Sequence, residues 1–573
     1  MKYFVTGGSG FIGQHLIRRL VEGRENVVYC LLRDENKLPQ DIRSSIKICK
    51  GDDTSLAKYA REILSSDVIF HAGGRADLGD GDAYQRDNVD FTTALIKISE
   101  RSKKLKRFIF TSTIGAVDRS KDDQCIAPLT EESTPSPLTE YGRSKLSCEI
   151  ALKASALPFV IVRPVLVYGP GMRKKSHLRV FLDAVEKQKL FARCNFPGKM
   201  SFIHVNDLIA ALILVSTHPK AVRQTFFAAD DEPISLGSLF NQLGNILGKR
   251  AGSINVSFAV FHILRRFRPF LPLRAQNLYS DVLTASNKKL RSLGFVPKAI
   301  QADAFRGTAH DHFKRENPNR GMAVITGGAG GIGGALSAQL FARGYSVTIV
   351  DRNKALGRSV AKSLDAELLH ADLSTEKDVD NVVELLHAHS SKIDLLVNNA
   401  GIGKRGNTEE IPVGELIDLL RINCEVPVRL TNAILPEFIK RGRGTIINIG
   451  SSSGFQPLPY MSTYAASKSF IMHYTVALQG ELAGRGIPGS VEIILASPSG
   501  TATNFQRNAG VKEDDHSRLL SPDHVASVIV GTIGKGSSAY IIGFSGKMMN
   551  IAGRILPLRV QSILWEKLMR SMR

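Results

Sequence analysis

At 573 residues the chain is too long for a single hydrophobic core and is expected to form two or three domains. Its 43% hydrophobic and 23% charged residues are those of a soluble globular protein. The net charge of +21 falls unevenly, +17 over residues 1–320 and +4 over residues 321–573. That excess would attract phosphorylated cofactors, coenzyme A esters, nucleic acid or an anionic membrane surface, without choosing among them. Six scattered cysteines with no Cys-x-x-Cys exclude a disulfide framework and a zinc site, so no metal is expected and a reducing cytoplasm is the natural compartment. The first strand begins at Lys2, leaving no room for a cleaved leader, and no apolar run reaches the ~18 residues that span a bilayer. The chain is therefore expected to be cytoplasmic, soluble or peripheral at the inner membrane face.

In chain order, residues 2–6 read as a buried strand that ends in Thr6-Gly7-Gly8-Ser9-Gly10-Phe11-Ile12-Gly13. A helix over 11–22 and a strand over 27–32 follow. Strand, glycine turn, helix and strand in this order signal dinucleotide binding. Gly7, Gly10 and Gly13 leave backbone N–H groups and a helix N-terminus open to a pyrophosphate. Arg33 stands just past the second strand, where a carboxylate would take the ribose 2′-hydroxyl. Its guanidinium suits a 2′-phosphate and favours NADP(H), with Asp34 close by. Asp52, in Gly51-Asp52, is placed to accept from the adenine amino group, and Asn88 lies on a helix near the cofactor. Further strands are predicted at 68–70, 108–111 and 159–162. Alternating strands and helices imply a parallel sheet covered on both faces. Residues 165–300 are less regular and read as a substrate lobe.

Tyr141 and Lys145 share one helical face at i, i+4. A cation beside the phenol is expected to favour phenolate and to bring its pKa from ~10 towards working pH, so that the tyrosine passes a proton to or from a substrate oxygen. The run Thr111-Ser112-Thr113 at a strand end offers the hydroxyl that holds this oxygen.

Residues 306–320 turn polar and are expected to be a linker. At Met322 the pattern restarts, with strands over 322–326, 346–350, 393–397, 445–449 and 491–496. The second turn is Thr326-Gly327-Gly328-Ala329-Gly330-Gly331-Ile332-Gly333, and its pair is Tyr464 with Lys468. With 12 tyrosines, roughly one Tyr-x-x-x-Lys should arise by accident. Two occur, each beyond its own glycine turn, which chance explains poorly. Two segments are basic and amphipathic, Phe258–Arg274 and the tail from Lys547 to Arg573. Each fits either a membrane interface or a packing helix with a solvated basic face.

The first 300 residues resemble the extended branch of the short-chain dehydrogenase/reductase family. The resemblance rests on the first glycine turn, Gly51-Asp52, His71-Ala72-Gly73, residues 111–113, Tyr141-Gly142-Arg143-Ser144-Lys145, Arg163-Pro164, Val167-Tyr168-Gly169-Pro170 and the run 202–207. It implies that Tyr141 is the acid/base, that Lys145 binds the nicotinamide ribose and that Thr113, beside Ser112, steadies the reacting oxygen. Residues 321–535 resemble the single-domain branch, with Gly327, Gly331 and Gly333 in its tighter glycine spacing. In that branch Asp351 would bind a ribose diol, next to Arg352, so either NAD(H) or NADP(H) is expected. Asp372 corresponds to the adenine contact and Asn399 to a strand-end residue near the cofactor. Asn423 would anchor a relay water, Ser451 the substrate oxygen, Tyr464 the proton and Lys468 the ribose. Pro498-Ser499 departs from the family's Pro-Gly, with Thr503 following. Residues 499–520 would form a mobile lid.

The expected fold is α/β, two doubly wound parallel-sheet Rossmann domains, the first with a smaller substrate lobe. Its boundaries are residues 1–305, a linker over 306–320, a second domain over 321–538 and a basic amphipathic tail over 539–573. Two hydride centres imply sequential steps on one lipid-like substrate, sterol or long acyl chain. The leading expectation is a 3-hydroxysterol 4-carboxylate dehydrogenase/decarboxylase joined to a 3-ketosterol reductase. A fatty acyl-CoA reductase or 3-oxoacyl reductase is the alternative. A redox sensor is disfavoured by intact Tyr/Lys pairs, nucleic acid is not an expected partner, and homo-oligomerisation is left open.

Overall fold

The computed structural model describes residues 1–23, 25–76, 81–118, 127–174, 176–255, 283–510 and 519–571. The basic segment at 258–274 lies outside them, as do residues 511–518 of the expected lid. Two compact units emerge, one of Met1–Leu243 with Arg250–Thr308, the other of Gly244–Lys249 with Ala309–Arg573.

The first unit is built on seven parallel strands: β1 (Lys2–Thr6), β2 (Val27–Leu32), β3 (Lys47–Lys50), β4 (Val68–His71), β5 (Arg107–Thr111), β6 (Phe159–Pro164) and β7 (Gln224–Ala228). Their order across the sheet is β7-β6-β5-β4-β1-β2-β3. The second unit repeats it with β8 (Met322–Thr326), β9 (Ser346–Asp351), β10 (Glu367–His370), β11 (Ile393–Asn398), β12 (Gly444–Ile449), β13 (Val491–Pro498) and β14 (Ser538–Ile542), ordered β10-β9-β8-β11-β12-β13-β14. Every pairing within these two sheets is parallel. Both sheets are therefore doubly wound, and the central strands are buried throughout, as at Val68–His71 and Gly444–Ile449. In each, the chain leaves the first strand one way and the fourth the other. The carboxyl ends of these two strands thus frame the crevice where such folds bind ligands.

Three expected boundaries shift. The stretch at 165–300 is not a lobe apart: helix Val205–Thr217 and strand β7 join the main sheet, because Leu208, Leu212, Val215 and Phe226 need its apolar face. The polar stretch at 306–320 is mostly helix, Gln301–Glu316, which buries Phe305, Thr308 and Ala309 among its charges. The tail does not begin at 539, since Ser538–Ile542 pairs with β13 as the seventh strand. Two helices then close the described chain, Phe544–Ile555 and Leu558–Ser571. Among the described residues no helix is long and apolar enough to cross a membrane.

A buried ion pair fastens the first unit's helix Glu140–Ala154 to its sheet. Arg163 donates Nε to Glu149 Oε1 at 2.9 Å and Nη2 to Oε2 at 2.6 Å, and Ser112 Oγ donates to Oε1 at 2.6 Å. Both partners are enclosed, Glu149 at 0% and Arg163 at 1% exposure. Removing one partner strands the other charge in a low dielectric. Glu149→Ala should therefore cost about 3–5 kcal/mol in urea unfolding, and Glu149→Met with Arg163→Met should recover most of it.

Candidate active sites

Each site begins at its glycine turn. Gly7 has φ +74° and Gly327 φ +62°, values that L side chains rarely adopt. A Cβ on Gly13 would lie 2.2 Å from the Gly7 carbonyl oxygen, and one on Gly333 2.0 Å from that of Gly327. Helix Phe11–Val21 starts from Gly10 and helix Gly331–Ala342 from Gly330, with no side-chain cap on either. Both cradles thus present bare backbone N–H groups at a helix N-terminus, which fits a dinucleotide pyrophosphate. Thr503 reaches the second cradle, its Cγ2 3.1 Å from where a Cβ on Gly331 would stand.

Around these turns the predicted binding residues divide by role. Asp351, at the end of β9, accepts from Ala329 N at 3.0 Å and Asn353 N at 2.9 Å, which fixes its carboxylate beside the cradle. Arg33 is exposed past β2, and its neighbour Asp34 is turned away to cap residues 35–37 through Asn36 N at 3.0 Å. Asp52 and Asp372 are both local caps. Asp52 Oδ1 accepts from Thr54 N at 3.1 Å, and Asp372 Oδ1 from Ser374 N at 3.0 Å. Asn399 holds the cradle itself, donating Nδ2 to Thr326 O at 2.9 Å and to Gly327 O at 3.2 Å.

The proton-transfer groups follow one plan in both units. Lys145 donates Nζ to Thr111 O at 3.1 Å, and Lys468 to Ile449 O at 2.9 Å, each at the end of the fifth strand of its sheet. Thr113 and Ser451 occupy the same place. Thr113 Oγ1 accepts from Gly115 N at 3.2 Å and Ser451 Oγ from Ser453 N at 3.1 Å, and each hydroxyl acts on its own phenol, lowering its pKa. Ser112 is committed to Glu149, so Thr113 is the hydroxyl that faces Tyr141.

Asn88 and Asn423 also prove equivalent. Both sit in a π-helical turn, Gln85–Asp90 and Arg421–Glu425. Asn423 Oδ1 accepts from Ile402 N at 3.0 Å, while Nδ2 donates to Ile402 O and Ser467 Oγ, both at 3.0 Å. Asn88 Oδ1 accepts from Arg75 N at 2.6 Å, while Nδ2 donates to Arg75 O at 3.1 Å and Ser144 Oγ at 2.8 Å. Ser144 and Ser467 are the serines of the two Tyr-x-x-Ser-Lys runs, and each donates to its tyrosine's carbonyl, at 2.8 and 2.7 Å. Asn88 therefore takes the same hydrogen-bonded place in its unit as Asn423. Its sequence signal was its position on the helix after the fourth strand.

The expected fall in the phenol pKa does not occur in the protein itself. Burial pushes Tyr141 up to about 12, against a downward pull from Arg173, and pushes Tyr464 up to about 12 as well. Burial also holds Lys468 down to about 8 and lowers Lys145, so each ammonium is weakened as a charge where the phenol needs it. At neutral pH both phenols are protonated donors.

Ser499, at the family's glycine position, accepts from Gly546 N at 2.9 Å and so ties helix Phe544–Ile555 to the end of β13. Part of the expected lid is ordered. Phe505–Asn508 is a short helix, and the Phe505 ring lies 5.2 Å from that of Tyr464. A separate cavity of about 480 Å³ lies among Asp394, Arg443 and Glu492, at the amino ends of the strands and away from Tyr464.

Two family models match the chain, the NAD dependent epimerase/dehydratase family over residues 3–228 and short chain dehydrogenase over residues 321–514. An uncharacterized oxidoreductase of Staphylococcus epidermidis is 30% identical over 217 residues, 36% of this chain and 93% of its own length. A very-long-chain 3-oxoacyl-CoA reductase of Debaryomyces hansenii is 28% identical over 286 residues, 46% of this chain and 78% of its own. Among solved structures, a UDP-glucuronic acid 4-epimerase of Bacillus cereus in complex with NAD is 21% identical, covering 56% of this chain and 98% of its own with a TM-score of 0.46. The chain belongs to the short-chain dehydrogenase/reductase family, as a tandem of an extended and a single-domain member. It is an NAD(P)-dependent oxidoreductase.

Two outcomes test the sites. Gly13→Ala and Gly333→Ala should each weaken dinucleotide binding in their own unit by about tenfold or more, by fluorescence titration. Asn88→Ala should slow the first unit's reaction by about 10²-fold in kcat, as Asn423→Ala slows the second, because both misplace a Tyr/Lys helix.

Proposed function

We propose that the two centres act on one lipid-like substrate, the first oxidising a carbinol next to a carboxylate and the second reducing the resulting ketone. A nicotinamide, when bound, supplies or takes the hydride. The protein's own groups hold the oxygen and move the proton. The observation that carries this reading is the contrast between the surroundings of the two phenols. Arg173 pulls the pKa of Tyr141 down against the larger effect of burial, the direction that alcohol oxidation needs. Its guanidinium also suits a substrate carboxylate beside the reacting carbon. Tyr464 instead lies among Leu419, Leu458, Met461, Phe505, Trp565 and Met569, an apolar cluster that suits a hydrocarbon ketone and keeps the phenol protonated as a donor.

In a 3-hydroxysterol 4-carboxylate, oxidation at C3 creates a β-keto acid. Carbon–carbon cleavage then releases carbon dioxide and leaves an enol, which takes up a proton to become the ketone. Hydride and proton addition at the second centre restores the alcohol. We assign NADP(H) to the first unit on the exposed Arg33 with Asp34 turned aside. Asp351 fixed at the second cradle favours NAD(H) there, with Arg352 adjacent. The competing reading is an acyl pathway, favoured by the 3-oxoacyl-CoA reductases among the relatives of the chain. A substrate of either kind is membrane-dissolved, so peripheral contact with a bilayer belongs to the same proposal.

Incubation with a 4-carboxysterol and, separately, with long-chain acyl-CoA and 3-oxoacyl-CoA, each with either cofactor, decides between them. On the sterol, Tyr141→Phe should abolish carbon dioxide release, whereas Tyr464→Phe should let the ketone accumulate. Arg173→Met should raise KM for the carboxysterol. Turnover of an acyl-CoA alone would replace the sterol reading, and a Tyr→Phe variant that left both steps intact would defeat the two-centre assignment.

A further inference from the structure

We propose that the C-terminal helix pair is a two-faced element whose inner face walls the Tyr464 cleft and whose outer face rests on an anionic lipid bilayer. This deepens the lipid-substrate reading and rests on it only for what passes through the cleft, since the surface itself is argued from these helices alone.

The inner face is built into the site. Trp565 and Met569 pack with Leu458, Met461 and Phe505 around Tyr464. Arg405 Nη2 donates to Met569 O at 2.7 Å, Tyr460 donates its hydroxyl to Glu566 Oε1 at 2.9 Å, and the Trp565 indole N–H donates to Gln456 Oε1. The preceding helix is pinned by Ser499 through Gly546 N. At Gly553 it approaches so closely that a Cβ would stand 2.5 Å from Phe455 O.

The opposite face is exposed among the described residues. Phe544, Met548, Ile551 and Ile555 recur at three- and four-residue steps and form one stripe, with Phe544 80% and Ile555 73% exposed. Leu558, at the turn, is 70% exposed, and Val560, Ile563, Leu564 and Leu568 continue the stripe on the last helix. Large apolar side chains in one contiguous run mark a contact surface rather than ordinary exposure.

Charge selects the occupant. Lys547, Arg554, Arg559 and Lys567 flank or interrupt the stripe, and the one acid of these helices, Glu566, is held by Tyr460 and Arg570. A second copy docked here about a two-fold axis would set these cations against themselves. Anionic headgroups would neutralise them while the apolar stripe enters the acyl boundary. Placed so, the wall of the Tyr464 cleft lies at the membrane surface, where a hydrophobic ketone reaches the phenol without crossing water.

The test is flotation of the full chain with vesicles of phosphatidylcholine, with or without phosphatidylglycerol, and with no cofactor or substrate present. The wild type should float with phosphatidylglycerol vesicles and hardly at all with phosphatidylcholine alone. Phe544→Ser/Ile551→Ser/Ile555→Ser should lower partitioning about tenfold or more, and Lys547→Gln/Arg554→Gln/Arg559→Gln should do the same. Reduction of a small water-soluble ketone should be unchanged in both variants. Absence of flotation by the wild type, or flotation equal in wild type and both variants, would overturn the proposal. So would a dimer in sedimentation equilibrium that the apolar variant converts to monomer, since a second copy would then be the occupant. Because flotation is read without substrate, it can fail while the proposed reactions hold, and the reverse.

Discussion

In each unit a lysine ammonium, almost wholly buried, donates to the carbonyl at the end of the fifth strand, Lys145 to Thr111 and Lys468 to Ile449. That bond fixes the rotation of a long helix against a parallel sheet, and the helix carries the phenol one turn earlier. The asparagine in the π-helical turn completes the frame, since it holds both the strand-end loop and the serine beside the lysine. A buried ammonium is expensive unless its hydrogen bonds are met. Here one backbone carbonyl offsets part of that cost, and it is in place only when sheet and helix are correctly docked. Fold and chemistry therefore depend on the same contact.

Two copies of one frame do not make two equal sites. Burial raises both phenols to about 12, but among the described residues only Tyr141 feels a nearby guanidinium, while Tyr464 is enclosed by apolar side chains that include Trp565 and Met569 of the C-terminal helix. The departure of Ser499 from the family pattern has a structural result in the same place: its hydroxyl receives the N-terminal turn of the helix that leads to that apolar wall. Electrostatics in one cleft and hydrocarbon in the other are what distinguish the two halves of a tandem that otherwise repeats itself.

The central strands were legible because a parallel strand buried on both faces is an unbroken apolar run, as in Val68–His71 and Gly444–Ile449. The edges were not. Lys47–Lys50 is four residues with lysine at both ends, and Ser538–Ile542 is a five-residue run after a glycine- and serine-rich turn, so both are too short to stand out. The helix at Gln301–Glu316 was hidden by its charge, since its few buried residues are spaced among nine ionisable or amide side chains in the sequence Gln-Ala-Asp-Ala-Phe-Arg-Gly-Thr-Ala-His-Asp-His-Phe-Lys-Arg-Glu. The Tyr/Lys pairs and the glycine turns stood out by their spacing, whereas the Thr113 and Ser451 hydroxyls were named from the family resemblance. Asn88 was found, but its likeness to Asn423 was not legible, because its partners Arg75 and Ser144 are brought to it only by the fold. The phenol pKa was argued in the wrong direction for the same reason: spacing reveals the neighbouring ammonium, whereas desolvation depends on everything packed around it.

The account stands on two complete nicotinamide centres in one chain. Calorimetric titration of the purified protein with NADPH and with NADH measures this most directly. Two dinucleotides bound per chain, with Gly13→Ala weakening one of the two binding events and Gly333→Ala the other, is the predicted result. A stoichiometry of one in the unmodified protein, with either glycine variant leaving it unchanged, would contradict it.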